Sequence, residues 1–133
     1  MKKFVLMLVL MLSLAFQTNA QVWNYKSTEF AIKSTNSYGN WTEWSDWQKS
    51  DCNIVLDGVN DRVTIYSPKT QIYRITSIAK KTIDKDGCVQ TSFKVEDQDA
   101  DIGTIRFRIT TNGVLQLYID FANIAWVYNI IKQ

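Results

Sequence analysis

Short segments that alternate apolar and polar side chains constrain the fold of this chain more than any other feature. Residues 89–96, 104–110 and 115–119 place mostly apolar side chains at every second position, with polar ones between them. A period of two is typical of a β-strand with one buried face. Asn112-Gly113, which separates the last two segments, is a strong signal for a tight hairpin turn. These segments are therefore predicted to be consecutive antiparallel strands.

The rest of the chain after residue 20 repeats this pattern and contains no amphipathic helical period. Strand-like segments recur at residues 22–33, 53–56, 62–66, 71–78 and 124–131, with turn residues between them. The last of them is apolar on both faces, which predicts a central or covered strand. We predict a single all-β antiparallel domain of about eight strands over residues 21–133. Because closure removes exposed strand edges, a small up-and-down (lipocalin-like) barrel is favoured over a β-sandwich.

The first twenty residues have the parts of a secretory signal peptide. Met1-Lys2-Lys3 is basic, residues 4–16 are apolar, and Ala20 is a small residue after a polar break. The apolar run is shorter than the roughly 20 residues that span a bilayer. The pattern predicts a signal peptide over residues 1–20, cleavage after Ala20, and a secreted or periplasmic protein. The lysine-rich start is more typical of bacteria.

The charge balance of the exported part argues against nucleic-acid binding. The whole chain has 15 basic and 13 acidic residues, and a net charge of +2. Residues 1–20 contain two of the lysines and no acid, so the remaining chain has 13 of each and no net charge. Phosphate binding needs several clustered cations, and no basic run here is longer than Lys80-Lys81.

The exported part contains two cysteines, Cys52 and Cys88. In an oxidising compartment an isolated pair most often forms one disulfide. A disulfide between Cys52 and Cys88 is therefore predicted, with two free buried thiols as the alternative.

The absence of histidine limits the chemistry of this chain. It excludes Ser-His-Asp and Cys-His catalysis and removes the commonest metal ligand. Glu43 and Asp46, on either side of Trp44, are the acid pair that best suits glycoside hydrolysis. Because the other acids mostly fall in predicted turns, we predict no enzyme activity, no cofactor and no metal site.

The acidic segment 96–103 is the one part of the chain for which a metal site is an alternative interpretation. Asp97, Asp99 and Asp101 have the spacing of the first half of a calcium loop. Ile102 and Arg108, however, stand where that loop requires glycine and glutamate. A solvated acidic turn is the favoured interpretation, and a weak calcium site is the alternative.

Three of the five tryptophans, Trp41, Trp44 and Trp47, lie within one short stretch. On an extended strand Trp44 would face away from the other two, with charged residues on both sides. In a polyproline-like conformation, with three residues per turn, all three rings would line one edge. The stretch predicts either an aromatic binding surface or rings that belong to the core or cover one end of the barrel.

The spacing Trp41-x-x-Trp44-x-x-Trp47, followed by Cys52, resembles the opening of a thrombospondin type 1 repeat. The same residues also resemble the Trp-Ser-x-Trp-Ser box of cytokine receptors. In both families arginines stack between the tryptophans. Cysteine count and position in the chain do not match these families, so the resemblance implies only a local stacking geometry. Arg106 and Arg108 have a suitable spacing to take part in it.

These observations predict a small exported, non-catalytic binding module. Trp41, Trp44 and Trp47 are its predicted ligand-binding residues, and a carbohydrate or a partner protein is the predicted ligand. One alternative is a lipocalin-like carrier of a small apolar ligand in the barrel interior. Another is a structural or inhibitory protein with no small ligand. Exposed rings favour the binding surface, whereas a sizeable apolar cavity favours the carrier.

Overall fold

A computed structural model describes residues 21–133, which form ten β-strands. The predicted signal peptide lies outside these described residues. The strands are β1 (Val22–Ser34), β2 (Gln48–Lys49), β3 (Asn53–Asp57), β4 (Arg62–Ile65), β5 (Gln71–Ile78), β6 (Thr82–Ile83), β7 (Val89–Glu96), β8 (Ile102–Ile109), β9 (Leu115–Asp120) and β10 (Ile124–Lys132). The described part of the chain contains no helix. The predicted all-β class is therefore confirmed.

Eight of the strands close into an antiparallel barrel. Their order around the barrel is β1, β3, β4, β5, β7, β8, β9 and β10, and β10 pairs back with β1. Consecutive barrel strands are thus neighbours, which confirms the up-and-down barrel over the sandwich. The remaining strands, β2 and β6, are two residues long and pair with β1 and β7. They are too short to show an alternating pattern in the sequence.

Side chains fill the middle of the barrel. Phe107 on β8 is 1% exposed and meets the rings of Tyr25 and Phe93 edge to face, at centroid distances of 5.7 and 5.8 Å. Ile105 and Leu117 beside it are fully buried. An eight-stranded barrel is just wide enough for its own side chains. A ligand site is therefore expected at one end of this barrel or on its outside.

The connections between barrel strands alternate between two ends. Residues 35–52, 66–70, 97–101 and 121–123 lie at one end, which we call the mouth. Residues 58–61, 79–88 and 110–114 lie at the far end.

Strand β1 has two different neighbours along one of its edges. Its first part, Val22–Lys26, pairs with β3. Beyond a bulge at Thr28, the same edge is covered by residues 35–50, which we call the tryptophan loop. The backbone N–H of Thr42 donates to the carbonyl of Ser34 at 2.8 Å, and other loop N–H groups bond farther along β1. The loop therefore takes the place of a barrel strand beside the half of β1 that is nearer its C-terminal end.

The outer face of β10 is covered, as its apolar sequence predicts. Ala125 and Val127 are each 2% exposed, although neither belongs to the core cluster inside the barrel. Ala31, the partner of Val127 on β1, is equally buried. These small side chains therefore form a second, external apolar layer.

The predicted disulfide is wrong, because both cysteines are free. Cys52 immediately precedes β3 and Cys88 immediately precedes β7. These two strands lie three places apart in the barrel order and run in opposite directions, so their starts are at opposite ends. The separation around and along the barrel keeps the two thiols from meeting, since a disulfide needs Cα atoms within about 7 Å.

Candidate functional site

The three predicted tryptophans lie outside the barrel core. Trp41, Trp44 and Trp47 are 45%, 38% and 45% exposed. All three belong to the tryptophan loop, whose backbone is fixed to β1 by hydrogen bonds such as Ser45 N–H to the Ile32 carbonyl at 2.9 Å. The Ser45 hydroxyl also accepts the N–H of Ile32 at 3.0 Å. The rings are therefore partly accessible and held on a fixed backbone.

Two of these rings belong to a row of aromatic and cationic side chains in contact, which we call the outer ladder: Trp41, Lys33, Trp44, Tyr118 and Arg106. The ammonium of Lys33 lies 5.2 Å from the ring centroid of Trp41 and 4.7 Å from that of Trp44. Trp44 meets Tyr118 edge to face at 6.1 Å. The guanidinium of Arg106 then lies 4.2 Å from the ring of Tyr118. Trp47 lies farther along the loop, beside β2.

The stacking geometry expected from the sequence is present in part, with different partners. Lys33 occupies the position between the tryptophans that we expected an arginine to take. Arg106 contacts the row only through the ring of Tyr118. Its guanidinium is held in place by an ion pair with Asp120, in which Nε lies 2.7 Å from Oδ2. The sequence could not indicate Lys33, because its place beside Trp44 depends on the loop folding back along β1.

Arg108 takes no part in the outer ladder and instead fixes the turn before β7. Its Nε donates to Asp84 at 3.1 Å, and its Nη1 donates to Gln116 at 3.2 Å. The backbone N–H of Cys88 also donates to Asp84. The Cys88 N–H and the Arg108 guanidinium hold the pKa of Asp84 below its ordinary value. This ion pair is therefore a structural element of the far end.

A cavity of about 440 Å³ opens at the mouth of the barrel. Its aromatic and aliphatic wall consists of Phe30, Ile32, Tyr73, Ile124, Trp126 and Tyr128. Its polar rim comes from residues of the loops 66–70 and 97–101. Strands β1, β5 and β10 thus present their inward-facing side chains to one space. None of these aromatic residues is distinctive in the sequence, since only the strand register brings them together.

Most polar groups in the wall of the cavity bond to one another. The Gln71 amide donates to the hydroxyls of Ser67 at 2.9 Å and Tyr128 at 3.3 Å, and it accepts the hydroxyl of Tyr73 at 2.6 Å. Burial raises the pKa of both Tyr73 and Tyr128. Both phenols are therefore neutral at physiological pH. In this part of the wall the polar side chains are uncharged, and they already have hydrogen-bond partners within the protein.

One donor in the wall makes no hydrogen bond of normal geometry within residues 21–133. The indole Nε1 of Trp126 is buried beside the Tyr128 hydroxyl, whose pKa it lowers, and Trp126 lines the cavity. The ring itself is held by Phe121, which stacks on it at 6.3 Å with an interplanar angle of 18°. Trp126 thus contributes its ring to the wall, while its N–H faces Tyr128.

The acidic loop satisfies its own backbone. A single oxygen of Asp97 accepts the N–H groups of Asp99 and Asp101, both at 2.9 Å. Ala100 has a positive φ of 66°, as the tight turn requires. Among residues 21–133, no group of three or more His, Cys, Asp or Glu side chains is placed to hold a metal ion. The loop therefore has the geometry of a closed acidic turn.

Glu43 and Asp46, the acid pair considered for hydrolysis, are both exposed on the tryptophan loop. A glycosidase pair needs one buried acid that faces a cleft. The structure does not give either residue that environment.

Comparisons with protein-family models, with curated proteins and with solved structures found no match. In residues 21–133 there is also no helix of the length and apolarity needed to cross a membrane. The mouth cavity and the tryptophan loop are the candidate binding sites of the described residues.

Proposed function

We propose that the protein is a non-catalytic binding protein that holds a small, largely apolar ligand in the mouth cavity. The observation that carries this proposal is a cavity of about 440 Å³ whose wall consists mainly of aromatic and aliphatic side chains. Ligand sites typically have volumes of about 300–1,000 Å³, apolar walls and few polar groups, and barrel mouths are a preferred location. This is the carrier alternative of the sequence analysis, moved from the barrel interior to its mouth.

The filled barrel core supports this location. Because Phe93 and Phe107 occupy the middle of the barrel, a ligand cannot enter deeply as in a wider carrier barrel. It would instead contact the wall of the mouth cavity, where the ring centroids of Phe30 and Tyr128 are 6.2 Å apart.

A neutral fluorescent probe, N-phenyl-1-naphthylamine, tests this proposal. We expect its emission to rise and shift to the blue on addition of the protein, and to saturate at one probe per chain. Replacing Ile124 by tryptophan should abolish the effect, because Ile124 lines the cavity and is 37% exposed, so a larger ring can fill the space. Ile83→Trp is the matched control, since Ile83 is 68% exposed at the far end. Equal probe binding by both variants would contradict the proposal.

The tryptophan loop supports a second candidate function, which is the binding of a carbohydrate or a partner protein through Trp41, Trp44 and Trp47. The specific observation is their exposure of 38–45% on a fixed backbone. Against it, Lys33 already lies over the faces of Trp41 and Trp44, which are the surfaces that a sugar ring would use. Trp47 is the ring that remains most suitable for such a contact.

Iodide quenching of tryptophan fluorescence, followed by a glycan array, tests this second candidate. We expect Trp47→Ala to remove more of the quenched emission than Trp44→Ala, because Trp44 is the less exposed ring. Loss of glycan or protein capture in Trp47→Ala, with unchanged stability, would support the surface. Capture that is indifferent to all three alanine variants would exclude it.

A further inference from the structure

The loops at the mouth carry an excess of negative charge. Residues 66–70, 97–101 and 121–123 contain three aspartates and one lysine, Lys69, and residues 35–52 contain three further acids and one further lysine. Among residues 21–133, Asp97, Asp99 and Asp101 take part in none of the ion pairs of the structure. Asp97 and Asp99 line the mouth cavity itself. Residues 21–133 contain 13 basic and 13 acidic residues and have no net charge, so this negative field is a local property of the mouth.

The aromatic wall has the same electrostatic preference as the rim. Aromatic rings carry a negative face that attracts cations. Phe30, Tyr73, Trp126 and Tyr128 all line the cavity beneath the aspartates. Asp97 and Tyr73 line the same cavity, and the pKa of Tyr73 is raised by burial first and then by Tyr128 and Asp97. An anion at this position would meet repulsion from two carboxylates, with Lys69 as its single lining cation.

We propose that the ligand of the mouth cavity is a small organic cation of the quaternary ammonium or methylated amine class. This inference rests on the proposed binding function and specifies its substrate class. The charged end lies at the rim beside Asp97 and Asp99, and the apolar part extends toward Trp126. Such a group suits the site because its methyl surface is apolar while its charge is diffuse, so it loses little hydration on entering an aromatic wall.

A matched series of three compounds tests the charge preference directly. Choline, 3,3-dimethylbutan-1-ol and 3,3-dimethylbutanoate share one branched carbon or nitrogen centre and differ in charge. Binding is followed by the NMR signal of the Trp126 indole N–H, which is assigned with Trp126→Phe. We expect choline to bind about tenfold more tightly than the neutral alcohol, as a desolvated cation–π contact implies. We expect the anion to bind more weakly than the alcohol.

Asparagine variants separate the rim charge from the shape of the loop. Asp97→Asn keeps the oxygen that accepts the N–H groups of Asp99 and Asp101, so the turn is preserved while the charge is lost. We expect choline affinity to fall several-fold in this variant and in Asp99→Asn, with the alcohol unaffected. Asp61→Asn is the control, because Asp61 lies at the far end with a φ of 52°, which asparagine tolerates.

The outcomes distinguish this inference from the function on which it rests. If the alcohol binds as tightly as choline, or if Asp97→Asn and Asp61→Asn behave alike, the cation preference is overturned and the cavity remains a neutral-ligand site. If none of the three compounds binds while N-phenyl-1-naphthylamine does, the cation class is likewise wrong and the binding function stands. Loss of binding of every probe, including the naphthylamine, overturns both.

Discussion

Replacing Lys33 by methionine should lower the free energy of unfolding by about 1–2 kcal/mol. The ammonium of Lys33 lies 4.7 Å from the Trp44 ring and 5.2 Å from the Trp41 ring, and both distances are within the range of a cation–π contact. Each contact at a partly exposed site is worth about 0.5–1 kcal/mol, which gives the total for two rings. Methionine retains a long apolar stem, so the change removes charge more than packing.

Lys132→Met provides an internal scale for this prediction. Lys132 lies over a single ring, that of Trp23, at 4.1 Å. Its replacement should cost about half as much, on the order of 0.5–1 kcal/mol. The comparison controls for the general effect of removing one lysine from a β-strand of the barrel.

Equilibrium unfolding in urea measures these differences, provided that the slope with denaturant is unchanged. A double-mutant cycle that combines Lys33→Met with Trp44→Leu should give a coupling energy of about 0.5–1 kcal/mol. A coupling energy near zero would refute the reasoning, as would a Lys33→Met cost no larger than that of Lys132→Met. The tryptophan loop would then be held mainly by its hydrogen bonds to β1.

Three further measurements follow from the fold. Phe107→Ala should lower the free energy of unfolding by about 3–5 kcal/mol, because it removes a buried ring; a loss below about 1 kcal/mol in urea unfolding would mean that the core is not filled. Denatured protein should react with two equivalents of Ellman's reagent without reduction, and in the folded protein Cys52 should react before the buried Cys88; a thiol signal that appears only after reduction would restore the disulfide. Because the pKa of Asp84 is lowered on folding, its stabilising ionisation is present above its unfolded pKa and lost as pH falls below about 4. The melting temperature of Asp84→Asn should therefore fall less steeply at acid pH than that of the wild type. Parallel plots of melting temperature against pH for the two proteins would contradict this.

The alternating sequence was sufficient to predict the barrel and most of its strands. The segment around Phe107 was predicted as residues 104–110 and is observed as Ile102–Ile109. Its period of two is imposed by one buried and one solvated face, and the Asn112-Gly113 turn fixes its pairing with β9. Local patterns were enough here because each barrel strand pairs with the next one along the chain.

The candidate site could not be predicted in the same way. The mouth cavity brings Phe30 on β1, Tyr73 on β5 and Trp126 on β10 to one space, and these residues are far apart in sequence. Their meeting depends on the register of strand pairs and on the Thr28 bulge, which shifts β1 by one residue against β10. No local pattern encodes such a shift.

The disulfide prediction was wrong for a related reason. Cysteine count and compartment are properties of composition, whereas a bond requires two particular backbone positions to be adjacent. Cys52 and Cys88 precede strands that start at opposite ends of the barrel. Only the three-dimensional order of the strands contains that information.

The seam between β1 and β10 makes folding of this barrel an event of the whole chain. The Thr28 hydroxyl donates to the carbonyl of Asn129 at a sequence separation of 101, and Asn129 donates to Glu29 at a separation of 100. Strand β1 therefore cannot complete its pairing until β10 has been synthesised and has folded against it. The conformational entropy of closing this long loop is lost before any contact between β1 and β10 forms. Until β10 arrives, β1 and β9 each present an unpaired edge that can recruit another chain. A chain that ends before Ile124 is thus expected to aggregate rather than to form a smaller barrel.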